Sequence, residues 1–170
     1  QYELASIVND LFNMVRDRAQ KKGLVLTVDV DSSIPHILYG DEIRIRQCAL
    51  NLLTNAVKYT EKGSVSLKVS YENKGDDNIL LSFSVSDTGM GMKKEDMDKL
   101  FAPYQRIEEK RNRSIEGTGL GMSITKQLLY IMGSELYVES EYGKGTSVSF
   151  AVVQEVVSRE EIGDYSERLS

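Results

Sequence analysis

Asn51-Leu-Leu-Thr-Asn55-Ala-Val-Lys58-Tyr59 closes a run, Asp41 to Tyr59, that reads as one amphipathic helix. Apolar residues recur at Ile45, Ala49, Leu52, Leu53, Ala56 and Val57, a helical spacing and not the alternation of a strand. Opposite them runs a polar stripe, Gln47, Asn51, Asn55 and Lys58, at i, i+4, i+8 and i+11. Asn51 and Asn55 therefore point the same way one turn apart, with Lys58 on the next turn. Two amide oxygens and an ammonium in one line suit a metal ion bound to phosphate. Taken alone, they suit a helix face in water equally well.

Upstream, Gln1 to Lys22 reads as a helix with Leu4, Ile7, Val8, Leu11, Phe12, Val15 and Ala19 on one stripe and Gly23 placed to end it. Leu24 to Val30 alternates as a half-buried strand, and Asp31 to Pro35 is a loop. Asp41 stands where the central helix needs an N-cap. Downstream, Ser64–Tyr71 and Ile79–Asp87 are strands joined by a polar turn, an antiparallel hairpin. A short helix is expected over Lys93–Leu100. The charged, aperiodic stretch Ala102–Thr118, roughly 16 residues, is longer than most connections and reads as a functional lid. Gly119–Met132 is a helix with Leu120, Ile124, Leu128 and Ile131 on its apolar face. Ser134–Ser140 and Thr146–Val153 form a last hairpin, and from Gln154 the polar, acidic chain reads as a linker or frayed end. Helices mixed with strands that come in adjacent pairs fit a two-layer α/β (α+β) sandwich better than a doubly wound parallel sheet.

Composition agrees with one globular domain: 170 residues, 41% hydrophobic and 28% charged. No apolar run is long enough to span a bilayer, and no signal peptide is visible. The single cysteine, Cys48, excludes a disulfide framework, points to a reducing compartment and reads as a small buried residue. A net charge of -5 argues against general nucleic-acid binding.

Three glycine-bearing stretches carry the remaining chemistry. Asp87-Thr88-Gly89-Met90-Gly91 follows a strand. A carboxylate there can accept from an exocyclic amine such as that of adenine, and glycines let a flat ligand approach; an ordinary turn has the same residues. Gly117-Thr118-Gly119-Leu120-Gly121 opens a helix, where backbone N–H groups and the helix dipole bind phosphate. No lysine follows as in the mononucleotide loop. Gly143-Lys144-Gly145-Thr146 alone is a hairpin turn.

In this order, with Phe101-Ala102-Pro103-Tyr104 before the lid, these motifs closely resemble the ATP-binding catalytic domain of sensor histidine kinases, members of the wider GHKL superfamily. The resemblance runs from about Tyr2 to Val153. Ile34-Pro35, Gly40-Asp41-Glu42 and Arg44-Ile45-Arg46-Gln47 are similar to hybrid members in particular. It implies the GHKL (Bergerat) ATPase fold, a mixed, mostly antiparallel five-stranded sheet with three main helices on one face and an ATP lid. Residues 1–153 would be the catalytic domain and 154–170 a tail or linker. Asn51 and Asn55 would hold Mg²⁺ through side-chain oxygens, in keeping with its preference for hard oxygen ligands and retained water. Lys58 would reach a phosphate and Tyr59 would lie near the nucleotide. Asp87 would take the adenine amine, with Thr146 helping through water. Gly89 and Gly91 would line the base pocket. Gly117, Thr118, Gly119, Leu120 and Gly121 would form the phosphate end. Phe101 and Tyr104 would couple the lid to the acceptor domain, and Glu116 stands where many relatives have another glycine.

Gyrase, mismatch-repair and heat-shock-chaperone relatives carry a glutamate where this chain has Asn51. An amide cannot act as general base, so the resemblance favours phosphotransfer over rapid hydrolysis. The acceptor is expected on a separate helical dimerisation domain, because the only histidine, His36, is followed by Ile37 and not by an acidic residue. The chain thus reads as a monomeric, cytoplasmic fragment of a two-component kinase whose parent can be membrane-anchored. A response regulator or fused receiver would be downstream, with no nucleic-acid or membrane contact by this domain. Lys110, Arg111 and Arg113 read as solvated lid charges. Two rival readings are a degenerate nucleotide-binding scaffold and an anti-sigma-type serine kinase. The hybrid-like flanks disfavour the second.

Overall fold

The computed structural model describes residues 1–89 and 121–169. The elements are β1 (Tyr2–Glu3), α1 (Leu4–Lys21), β2 (Val25–Val30), β3 (Pro35–Tyr39), α2 (Glu42–Tyr59), β4 (Ser64–Gly75), β5 (Asn78–Asp87), α3 (Gly121–Ile131), β6 (Leu136–Glu141), β7 (Gly145–Glu161) and β8 (Tyr165–Leu169). One mixed sheet runs in the order β1-β3-β7-β5-β4-β2-β8, with β6 pairing the first half of β7. Only β2 and β4 pair in parallel among the described strands. The expected short helix over Lys93–Leu100 and the lid lie outside the described residues.

Three helix ends have a readable local reason. Asp41 caps α2 by accepting from the Arg44 N–H at 3.1 Å. Gly23, at φ 70°, ends α1 with paired bonds from the Leu24 N–H to the Ala19 carbonyl and from the Gly23 N–H to the Gln20 carbonyl. Gly133, at φ 74°, ends α3 in the same way. Arg46 holds α2 against α1 through Asp10 and also reaches Glu42 within α2.

The helices cover one face of the sheet. The α1 stripe Leu4, Ile7, Val8, Leu11, Phe12, Val15 and Ala19 is buried as its spacing predicts, and so is the apolar face of α2. From the sheet, alternate residues of β4, β5 and β7 enter the same core, with Phe83 and Phe150 stacked at a ring-centroid distance of 5.2 Å. Cys48 is fully buried, and burial pushes its thiol up to about 11, so it is inert packing as expected.

Four expectations are corrected. Among the described residues the sheet has eight strands where five were expected, because β1, β3 and β8 add short pairings toward its two edges. The turn of the first hairpin shrinks to Asp76 and Asp77, both at positive φ. The chain from Gln154 is not frayed: β7 continues to Glu161 beside β3, and β8 pairs with β2. Its polar residues come in runs without strand alternation, a distant strand completes its pairing, and the Tyr2 hydroxyl donates to Gln154 Oε1 at 2.8 Å in the interior. Finally, α3 buries Met122, Thr125 and Leu129, with Leu128 half-buried, while Ile124 and Ile131 are exposed. Apolar residues of that helix lie on more than one side, Met122 and Leu129 inward and Ile124 and Ile131 outward, so contact with α2 and not periodicity chose its inner face.

Candidate nucleotide site

The core rows of β5 and β7 end in polar residues. Inward positions Ile79, Leu81, Phe83 and Val85 lead to Asp87, while Val152, Phe150 and Val148 lead to Thr146. Asp87 and Thr146 are register partners across the two strands. The apolar interior therefore opens onto this pair at one end of the sheet. A depression of ≈ 420 Å³ opens there, lined by Asp87, Ser140, Lys144 and Thr146 among others.

The two oxygens of Asp87 are in different situations. Oδ1 accepts from the Gly89 N–H at 2.9 Å and from the Thr146 N–H at 3.3 Å. Among the described residues nothing donates to Oδ2. Burial raises the pKa of this carboxyl, and the two N–H groups pull it the other way. A half-buried carboxylate with one anchored oxygen and one unused acceptor suits a ligand that brings a donor.

Two glycines allow this approach. A Cβ on Gly145, whose φ is 137°, would lie 2.1 Å from the Asp87 carbonyl oxygen. A Cβ on Gly89 would lie 2.9 Å from the Tyr59 carbonyl and 3.0 Å from Thr60 Oγ1. The glycine of the Asp87 loop thus serves first to bring that loop against the end of α2.

That end of α2 carries the predicted ligands. Asn51, Asn55, Lys58 and Tyr59 are all half-buried. Asn51 Nδ2 donates to Thr125 Oγ1 on α3 at 3.0 Å, which leaves the amide oxygen for another partner. The Asn55 amide has no hydrogen bond among the described residues. Lys22, from the end of α1, donates to the carbonyls of Val57 and Lys58. These are two of the carbonyls a helix end leaves without intrahelical partners.

The structure brings Tyr59, Asp87, Gly89 and Thr146 together through the Gly89 and Asp87 contacts, and it joins Asn51 to α3. The Thr146 backbone N–H supports Asp87, and its hydroxyl lies 2.8 Å from Ser140 Oγ. Gly121 begins α3. Gly91, Gly117, Thr118, Gly119, Leu120, Phe101, Tyr104, Lys110, Arg111, Arg113 and Glu116 lie outside the described residues. Sequence reading missed Lys22, Thr60, Thr125 and Ser140. Each sits in an ordinary helix, loop or strand, and only long-range packing gives it a role.

A family model described as histidine kinase-, DNA gyrase B-, and HSP90-like ATPase matches residues 40–156, which hold α2, the Asp87 loop and β7 into its second half. The chain belongs to this ATPase family. Hybrid signal transduction histidine kinase B of Dictyostelium discoideum is 35% identical over 151 residues, covering 89% of this chain and 8% of that protein. Aerobic respiration control sensor protein ArcB of Escherichia coli K12 is 34% identical over 159 residues, covering 93% of this chain and 20% of that protein. This ATPase domain therefore spans a small part of the curated relatives it matches. Full-length ShkA, solved in complex with AMPPNP, superposes with a TM-score of 0.77 at 29% identity, over 92% of this chain and 31% of that one. The mycobacterial sensor histidine kinase MprB shares the fold, with a TM-score of 0.68 at 20% identity over 92% of this chain and 99% of that one.

Among its described residues the ATPase domain has no group of three or more His, Cys, Asp or Glu side chains suited to a metal. A divalent cation bound with ATP takes hard oxygen ligands and keeps part of its water. The amide oxygen of Asn51 and the unengaged amide of Asn55 fit that donor set. No helix among the described residues is long and apolar enough to cross a membrane.

Proposed function

We propose that this domain binds Mg-ATP and transfers the γ-phosphate to a histidine on a separate dimerisation and phosphoacceptor domain of a hybrid-type kinase. The observation that carries the reading is Asp87, with Oδ1 held by two backbone N–H groups and Oδ2 left to accept the 6-amino group of adenine. Asn51, Asn55 and Lys58 face the phosphates, and Gly117, Thr118, Gly119, Leu120 and Gly121 offer backbone N–H groups to bind them. Mg²⁺, when bound, neutralises charge on the phosphates.

The chain's own part is to orient the nucleotide and stabilise charge on the transferred group. Asn51 and Asn55 offer no carboxylate to take a proton from water, which favours an external acceptor over hydrolysis. The imidazole nitrogen of the acceptor forms the bond to phosphorus as the bond to the β,γ-bridging oxygen breaks and ADP leaves. In such a parent, the segment beyond Val153 supplies the last sheet strands and leads toward a receiver domain.

The test is calorimetric titration of ATP with Mg²⁺ into the domain, followed by transfer of radiolabelled γ-phosphate to a supplied histidine phosphoacceptor domain. Binding followed by acid-labile label on the acceptor is expected. Binding without transfer would move the reading to a nucleotide-binding scaffold.

A further inference from the structure

The hydrogen bond between α2 and α3 has a direction that bears on how the site works. Asn51 Nδ2 is the donor and Thr125 Oγ1 the acceptor, at 3.0 Å, between residues 74 positions apart. Thr125 has no solvent exposure, and Asn51 is half-buried. A buried helical threonine ordinarily gives its own proton to a carbonyl one turn earlier, so its oxygen can only accept. The partner amide must then present its NH₂ to Thr125 and turn its oxygen away.

That choice matters because the two ends of a carboxamide have opposite chemistry. A cation binds the oxygen and is repelled by the NH₂. The terminal torsion of asparagine is otherwise broad and close to two-fold, so an unheld amide spends time in the wrong orientation. Thr125 lies one turn beyond Gly121, where α3 begins, about 6 Å along the helix axis. The same bond therefore ties the start of α3 to Asn51.

The geometry assigns Thr125 as a positioning residue that fixes the amide of Asn51, so that its oxygen faces the cation of Mg-ATP while the start of α3 is held at the same distance. This rests on the Mg-ATP reading of the site given above. A role confined to docking α3 on α2 makes a different prediction. A valine of the same shape would pack there as well and would leave no hydroxyl to satisfy.

The experiment compares Thr125→Val and Thr125→Ser with the parent chain. Nucleotide affinity is measured by calorimetry at a series of Mg²⁺ concentrations and again in EDTA. Thr125→Val is expected to weaken Mg²⁺-dependent ATP binding by roughly three- to ten-fold, the span of one hydrogen bond, and to leave metal-free binding within about two-fold. Thr125→Ser keeps the acceptor and is expected to restore the Mg²⁺ dependence. Equal losses with and without Mg²⁺, or no loss in either, would overturn the assignment while the Mg-ATP reading stands. A parent chain that shows no Mg²⁺-dependent binding would remove both. Should Thr125→Val unfold, Thr125→Ala serves as a second variant without the acceptor.

Discussion

Lys22, the residue just past α1, donates its ammonium to the backbone carbonyl of Lys58 in the last turn of α2, at 2.9 Å, and to that of Val57 at 2.7 Å. One helix thus caps the other at the end where Lys58 and Tyr59 emerge. Partial burial lowers the pKa of Lys22, a consequence of drawing its ammonium out of water. Lys22→Met leaves both carbonyls to water. We expect a loss of about 1–2 kcal/mol in urea unfolding, the scale of charge-assisted hydrogen bonds at a partly exposed site, together with weaker nucleotide binding. Unchanged stability in Lys22→Met would show that water serves the α2 terminus equally well.

Asp87→Asn separates stability from binding. The raised pKa of Asp87 means that the folded state holds its proton more tightly than the unfolded chain does. Its ionisation therefore works against folding as pH rises through and above the ordinary carboxylate range, and this penalty disappears on acidification below that range. The asparagine variant should unfold at higher denaturant than the parent at pH 7, and the two should converge toward pH 3. ATP affinity should fall by about ten-fold or more, because an NH₂ replaces the oxygen that receives the amine. A variant both less stable and undiminished in binding would contradict the account of the two oxygens.

Gly145→Ala should damage the site through the backbone. The added Cβ would meet the Asp87 carbonyl oxygen at 2.1 Å, at a φ of 137° that alanine rarely adopts. We expect about 1–3 kcal/mol of destabilisation and a displaced Asp87, read as lost ATP binding in protein that still gives a folded circular dichroism spectrum. Gly143→Ala, where nothing lies within 4 Å of the new Cβ, pays only the backbone strain of its φ of 87° and should keep ATP binding.

A chain cut after Val153 tests the last strands. The cut removes Gln154, the acceptor for the buried Tyr2 hydroxyl, together with the pairing of β7 to β3 and of β8 to β2. An orphaned buried hydroxyl alone costs about 1–3 kcal/mol, so the truncated chain should unfold at clearly lower urea. The same bond explains Gly40: a Cβ there would lie 1.8 Å from Gln154 Oε1. Truncation with no loss of stability would show that the segment is dispensable to the folding unit.

Local pattern alone determined most of this domain. The stripes of α1 and α2, the alternation of β2, β4 and β5, and the caps at Asp41 and Gly23 depend on residues a turn or a strand apart. The placement of the candidate site residues follows from the same local geometry: Asn51, Asn55 and Lys58 share a face of α2, and Asp87 continues the inward row of its strand. What the tertiary structure decided depends on which surface meets which. The inner face of α3 could not be read from a helix with apolar residues on more than one side, and its contact with α2 selected Met122, Thr125 and Leu129. The strand character of Gln154–Glu161 needed β3 as a partner more than a hundred residues upstream. Lys22 and Thr125 are ordinary residues in sequence, and they acquire roles because packing brings them to groups 36 and 74 positions away. Hydrogen bonds at such separation are made only after the core has closed, so no local signal encodes them.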